Sequence, residues 1–206
     1  MDCYSVRILR GLEEKTLAHR LLYQVYVEEL GWIPPEGNPS NLRIQPSPIG
    51  NILTDDYDSV SIQFGGFYGE NLIGIHRIIT RINGRLDVEK YIEIPKFLKN
   101  DCNYEFTRAA VKASFRKSPI FSLILAAEIK YLRKQKCKYI ISTSTFPDPG
   151  NFFCKIGATR INYPEFKYHI SDPKPVSLIV LFIEEQEPFN RLFTLVDKLK
   201  QKGKLK

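Results

Sequence analysis

The sequence predicts a single domain of mixed α/β class, and two observations carry that prediction. Strand-like and helix-like stretches follow one another as strand, helix, loop, antiparallel strands, strand, helix, strand, short helix, strand, which is not the strict alternation of a doubly wound sheet. At 206 residues, 43% of them hydrophobic and with 13 Phe and 11 Tyr, the chain can also enclose one full core.

Residues 4–9 read as a first strand. Residues 13–30 predict an amphipathic helix with Leu17, Leu21, Val25 and Leu30 on one face, stopped by Gly31. Trp32, the only tryptophan, opens the loop that follows, a place suited to lining a cavity. Pro34, Pro35, Pro39, Pro46 and Pro48 make 33–54 a long irregular segment, the kind that serves as a lid. Asp55, Asp56 and Asp58 come next and form either a solvated turn with an Asx cap or a site for a cation. Strands over 59–68 and 71–82, joined at Gly69-Glu70, make a hairpin whose second arm carries His76 and Arg77. Asn83-Gly84 is a tight-turn signal before a short strand from Arg85 and an irregular stretch over 90–103.

Residues 105–111, small and β-branched, predict a strand. A basic turn over 112–117 leads to Ser118-Pro119, an N-cap residue followed by proline at the first helical position. The helix beyond is apolar through Ile120, Leu123, Ile124, Ala127 and Leu132. A strand that feeds a helix N-terminus through a basic turn is a natural anion site, because unpaired N–H groups and the helix dipole point there. A strand over 138–144, a short helix over 152–156 capped by Asn151, a strand over 176–183 and an amphipathic helix over 188–200 complete the chain. The expected organisation is one domain over 1–186, then a C-terminal amphipathic helix and basic tail over 187–206.

No apolar run reaches the length of a membrane span, and Met1-Asp2-Cys3 opens no secretory signal pattern, so a cytoplasmic location is expected. Cys3, Cys102, Cys137 and Cys154 are widely spaced and read as reduced thiols, with no metal site. No histidine stands at a spacing that would make Cys102 or Cys154 a nucleophile. The net charge of +7 is concentrated in Lys198, Lys200, Lys202, Lys204 and Lys206. The remaining excess is mild: it makes no nucleic-acid stripe and fits an acidic partner such as an acyl carrier protein.

The element order, with its basic turn between a central strand and its helix, resembles the acyl-CoA-dependent N-acetyltransferase (GNAT) fold. Local motifs narrow the resemblance to the acyl-homoserine lactone synthases and the long-chain N-acyl amino acid synthases. Tyr26 and Trp32 stand where that branch has an aromatic and a tryptophan shaping the acceptor site. Asp55 and Asp58 match its Asp-x-x-Asp element, Arg77 its supporting arginine, and Glu105-Phe106-Thr107-Arg108 its Glu-x-Ser/Thr-Arg. The resemblance spans about residues 4–160 and implies a mixed, mostly antiparallel sheet flanked by helices. Two positions depart from it. Leu22 replaces an arginine of the lactone synthases, and Arg20 lies about 200° away on a helix of 3.6 residues per turn. The glycine-rich phosphate loop of generic acetyltransferases is absent, the turn reading Ala113-Ser114-Phe115-Arg116-Lys117-Ser118; the tyrosine many of them use as an acid falls at Phe153.

The activity implied is transfer of a medium- or long-chain fatty acyl group from an acyl carrier protein or CoA thioester to an amine of an amino acid or peptide. No tightly bound cofactor is expected; the phosphopantetheine or CoA thioester is a co-substrate. Glu105 would take the amine proton, directly or through a water, or would be a structural partner of Arg108, with Thr107 beside them. Asp55 and Asp58 would bind a cationic part of the acceptor, with Tyr26 and Trp32 shaping its site. Arg77 and Arg108 would bind a carboxylate or hold the acidic residues. Main-chain groups over 111–114, from Val111 through Ala113 to Ser114, would pair with pantetheine, and Arg116, Lys117 and Ser118 would take its phosphate. Phe121, Ile141, Phe152 and Phe153 would line the acyl channel. Two alternatives stand beside this one: a lactone synthase using S-adenosylmethionine, and a domain that binds acyl thioesters without turnover.

Overall fold

A computed structural model describes residues 3–99, 104–170, 172–185 and 187–206. Seven strands form one sheet: β1 (Tyr4–Ile8), β4 (Ser61–Tyr68), β5 (Asn71–Thr80), β6 (Tyr104–Val111), β7 (Tyr139–Ser144), β9 (Ser177–Phe182) and β8 (Ala158–Arg160), in that spatial order. Every neighbouring pair is antiparallel except β6 and β7. The prolines of 33–54 do not exclude all regular structure, since β2 (Arg43–Gln45) and β3 (Ile52–Thr54) pair as a small hairpin within it. Strand β8, three residues long, carries too little periodicity to be read from sequence, and the strand expected from Arg85 is a single bridge between Ile82 and Arg85 across the Asn83-Gly84 turn.

Helices α3 (Ile120–Lys134), α4 (Gly150–Lys155) and α5 (Asn190–Gln201) build the core on one sheet face, where Ile120, Ile124 and Ile129 meet Phe64, Ile78 and Phe106. Gly66 sets how closely α3 approaches, because a Cβ there would stand 2.6 Å from Ile120 Cδ1. Helix α3 begins one residue later than the Ser118-Pro119 signal suggests: Pro119 holds the cap position, and Ile120 N–H donates to Ser118 Oγ at 3.4 Å. Leu192 and Val196 of α5 enter the same core, and Leu205 beyond it lies parallel to Tyr4, so the lysine tail runs along the sheet edge.

The other face is covered by α1 (Gly11–Tyr23) and by the segment 86–98, which includes the single turn α2 (Lys96–Lys99). Helix α1 continues as a π-helical turn, Gln24–Glu29, in which Leu30 N–H donates to Val25 O. The buried face of this helix differs from the expected one: Ala18, Leu21, Leu22 and Val25 are covered, whereas Leu17 and Leu30 are exposed. A π turn shifts every later side chain around the axis, and such turns recur at functional sites. Here it brings Tyr26 against the sheet, its hydroxyl donating to Ala109 O at 3.2 Å.

A candidate functional site at the divergence of two parallel strands

The pairing of β5 with β6 slips where Ile75 faces Ala110 but Arg77 faces Thr107, so β6 inserts one extra residue at Arg108–Ala109. A bulge of this kind bends the strand and interrupts the ladder. Arg108 accommodates it at φ 55, a left-handed conformation costing an arginine about 1–2 kcal/mol. On its other side β6 registers with β7 only at Glu105 opposite Ile141, with Ser142 Oγ donating to Phe106 O at 3.0 Å. Past that point no ladder joins the two strands, and the bulge borders the opening.

A buried polar network fills the space between the two apolar clusters of the α1 face. Arg77, 2% exposed, donates from Nη1 and Nη2 to Asp55 at 2.8 Å each, from Nη1 to Asp58 Oδ1 at 2.7 Å and from Nε to Thr107 Oγ1 at 2.9 Å. Asp55 also accepts from Tyr57 N–H and from Arg108 Nε at 3.0 Å, while its own N–H donates to Asp58 Oδ2. Burial pushes the Asp55 carboxyl up, but the charges of Arg77 and then Arg108 outweigh it and hold the group well below the usual carboxylate range. Asp58 is lowered too, its desolvation overcome by His19, 3.2 Å away, and Arg77.

Glu105 lies deeper, 1% exposed, and one carboxylate oxygen accepts from Val88 N–H at 3.1 Å while Oε1 has no partner. Burial, then the neighbouring charge of Asp87, pushes its pKa up to about 8. A buried polar atom left without a partner costs about 1–3 kcal/mol and calls for a functional account. Asp87 accepts from Ser40 Oγ at 2.6 Å, and its Oδ2 is 3.8 Å from Arg108 Nη2. Ser40 also meets the Tyr91 hydroxyl at 2.7 Å, and the Tyr91 ring packs edge-on to Tyr168, whose hydroxyl is 2.9 Å from Thr143 Oγ1.

The structure therefore brings together Tyr26, Asp55, Asp58, Arg77, Glu105, Thr107 and Arg108. Trp32 packs edge-on to Tyr26 at 6.1 Å, and its Nε1 donates to Asp172 Oδ1 at 3.1 Å. Asp87, Ser40, Tyr91, Tyr168, Thr143 and Asp172 belong to the same region without having been singled out by sequence; they lie in irregular segments or on a short strand and match no motif. Asp55 does not face an open site, because this chain's own donors occupy both its oxygens.

On the donor side, Val111 ends β6 and Lys112 N–H donates to Ile73 O, before a 3₁₀ turn over Ala113–Phe115 that leaves Ala113 and Ser114 exposed. Arg116 pairs with Glu29 and donates to Val111 O, whereas Lys117 is exposed. Phe121, Phe152 and Phe153 pack on one another with centroids 5.7–6.0 Å apart on the α3 face, and Phe121 also touches His76. Ile141 is not with them. Strand alternation turns it to the opposite face among Tyr139, Leu178 and Val180. His76 shares the α3 face and pairs with buried Glu128 at 2.7 Å. Cys154 is exposed, Cys3 and Cys137 are buried, and Cys102 lies outside the described residues. Among the described residues no helix is long and apolar enough to cross a membrane.

No protein-family model and no curated protein matches the sequence. Solved structures do match the fold. FeeM, an N-acyl amino acid synthase from uncultured soil microbes, superposes with a TM-score of 0.67 over 90% of this chain and 93% of its own, at 18% identity. BjaI, a CoA-dependent acyl-homoserine lactone synthase solved with SAM and isopentyl-CoA, gives 0.66 over 100% and 93%, at 16% identity. An acetyltransferase of the GNAT family from Staphylococcus aureus gives 0.55 over 87% and 99%, at 12% identity. The chain has the GNAT fold. The mixed, mostly antiparallel sheet flanked by helices that the sequence implied is the one observed.

Proposed function

We propose that the protein is an N-acyltransferase that moves a fatty acyl group of medium or long chain from a thioester to an amine. The observation that carries this reading is Glu105: a buried carboxyl with a free oxygen and a pKa near 8, beside the bulge and the opening between β6 and β7. A base works best when its pKa lies near the operating pH. In the reaction the amine nitrogen attacks the thioester carbonyl, the C–S bond breaks to release the thiolate, and the amine proton passes to Glu105 and from there to the departing sulfur or to solvent. The bulge frees main-chain groups toward the acyl carbonyl, where hydrogen-bond donors stabilise developing oxyanion charge. Asp55 and Arg77 act as positioning residues: they hold Thr107 and Arg108, and through Arg108 the bulge itself.

Phe121, Phe152 and Phe153 offer the acyl chain an apolar path along the α3 face, and residues 111–114 offer pantetheine an exposed strand end. With Arg116 paired to Glu29, Lys117 is the freer cation for a phosphate. The positive net charge suits an acidic acyl carrier protein as donor; the CoA thioester held by BjaI supports the other source. FeeM supports an amino acid acceptor and BjaI supports SAM. Leu22, buried among apolar residues, supplies no cation for a SAM carboxylate, which favours an amine acceptor over lactone synthesis.

Intact masses of products formed from acyl carrier protein and acyl-CoA thioesters of several lengths, with pooled amino acids, amines, lysine peptides and S-adenosylmethionine, test the proposal. An amide product lost in Glu105→Gln supports it. Lactone alone selects the lactone synthase, and thioester binding without product selects the non-catalytic alternative.

A further inference from the structure

Charge is distributed unevenly in this site, and that bears on the acceptor. Four carboxyl groups, of Asp55, Asp58, Asp87 and Glu105, share the buried network with two guanidiniums and the His19 imidazole. Arg77 spends four of its N–H groups on Asp55, Asp58 and Thr107. Arg108 binds Asp55 through Nε and Nη2 and leans toward Asp87. Lys90 donates to the Pro39 carbonyl and lies over the Tyr57 ring. Within the network itself four carboxyl groups thus face two guanidiniums and one imidazole.

The aromatic wall carries the same sign. Tyr26 and Trp32 meet edge to face, and the Trp32 indole N–H is tied to Asp172, whose other oxygen accepts from His169 N–H at 2.8 Å. Among the described residues no lysine or arginine is ion-paired with Asp172. An aromatic pair beside a carboxylate suits an organic ammonium, which is attracted both by the ring quadrupoles and by the charge. A carboxylate on the neighbouring carbon would meet anions on both sides, Asp172 and the acidic network, while Arg77 is spent within that network and Arg108 is held on Asp55.

We propose, building on the acyltransferase reading, that the acceptor is an alkylammonium with no carboxylate on the adjacent carbon: a lysine-type side chain within a peptide, or a small amine or diamine, rather than a free α-amino acid. The amine enters as its cation between Tyr26, Trp32 and the acidic network. It loses one proton to solvent or a water and a second to Glu105 as the amide forms, and the sulfur leaves as a thiolate that takes up a proton from Glu105 or solvent.

The test compares amines that differ by one carboxylate on the adjacent carbon, tyramine with the α-amine of tyrosine and cadaverine with the α-amine of lysine, using the full chain, one acyl-CoA and product mass with fragmentation that assigns the acylated nitrogen. Nα-acetyl-lysine amide is a further arm that separates a peptide side chain from a small diamine. The decarboxylated member of each pair should react with at least about tenfold higher kcat/KM, in the range that one mismatched group in a binding site produces. Asp172→Asn should narrow that ratio toward one. Equal or faster acylation of the α-amines of tyrosine and lysine overturns this inference and leaves the acyltransferase reading standing; no acylation of any acceptor by any donor overturns both. An unchanged ratio in Asp172→Asn counts against the ammonium site.

Discussion

Arg108 reaches Asp55 from a left-handed backbone: its Nε is 3.0 Å from Asp55 Oδ2 while its φ is 55. The strain of the bulge and the ion pair that secures it thus reside in one residue. Asp55 is shared with Arg77, so a single carboxylate links the β5 arginine, the β6 bulge and the turn over Asp56–Val60 that it caps.

Asp55→Ala removes the shared anion, leaving Arg77 only Asp58 and Arg108 no close carboxylate. Leaving one member of a buried pair uncompensated costs about 3–5 kcal/mol. A fall in urea-derived stability approaching that size is expected, and a change within error would show that Asp58 alone compensates Arg77.

The same carboxyl sets an acid limit. Its pKa in the fold is below that of the unfolded chain, so its contribution is fully present above the ordinary carboxylate range. Stability should decline as the pH falls through that range, and Asp55→Asn should flatten the decline, measured by urea midpoints from neutral pH downward.

Glu105 has the opposite sign. Its folded pKa, about 8, is above the unfolded value, so it favours the fold at low pH and this contribution is lost as the pH rises through 8. Glu105→Gln should then be no less stable than the natural chain at alkaline pH, while acyl transfer falls by about 10²–10⁴-fold. Turnover in the natural chain should rise with pH around a midpoint near 8, a limb the Gln variant lacks. A variant with full turnover would make Glu105 structural.

Gly66→Ala places a methyl 2.6 Å from Ile120 Cδ1 and Cγ1 at the start of α3. Overpacking of this order costs about 1–3 kcal/mol. The urea midpoint should drop with an unchanged slope; a neutral result would mean that Ile120 repacks freely.

Phe152→Ala opens the aromatic set behind Phe121. Preference across acyl-CoA lengths should shift toward longer chains, read from initial rates at each length. An unmoved optimum would place the acyl path elsewhere.

By itself the sequence determined the strands β4, β5 and β6, helix α3 and the basic turn before it, because local periodicity and turn chemistry report those elements directly. It also determined that Glu105, Thr107 and Arg108 share a strand. Only the tertiary structure decided the rest. The slip that puts Arg108 and Ala109 opposite His76 is a relation between two strands, and neither strand records it alone. The separation of Ile141 from Phe121 follows from which side of β7 each residue type meets, and a continuous apolar run such as Tyr139–Ile141 hides that alternation. Asp87, Ser40, Tyr91 and Asp172 reach the site from loops, and Asp172 bonds to Trp32 across 140 positions of sequence. Side chains on irregular segments have no period to read; the packed sheet alone brings them to one place.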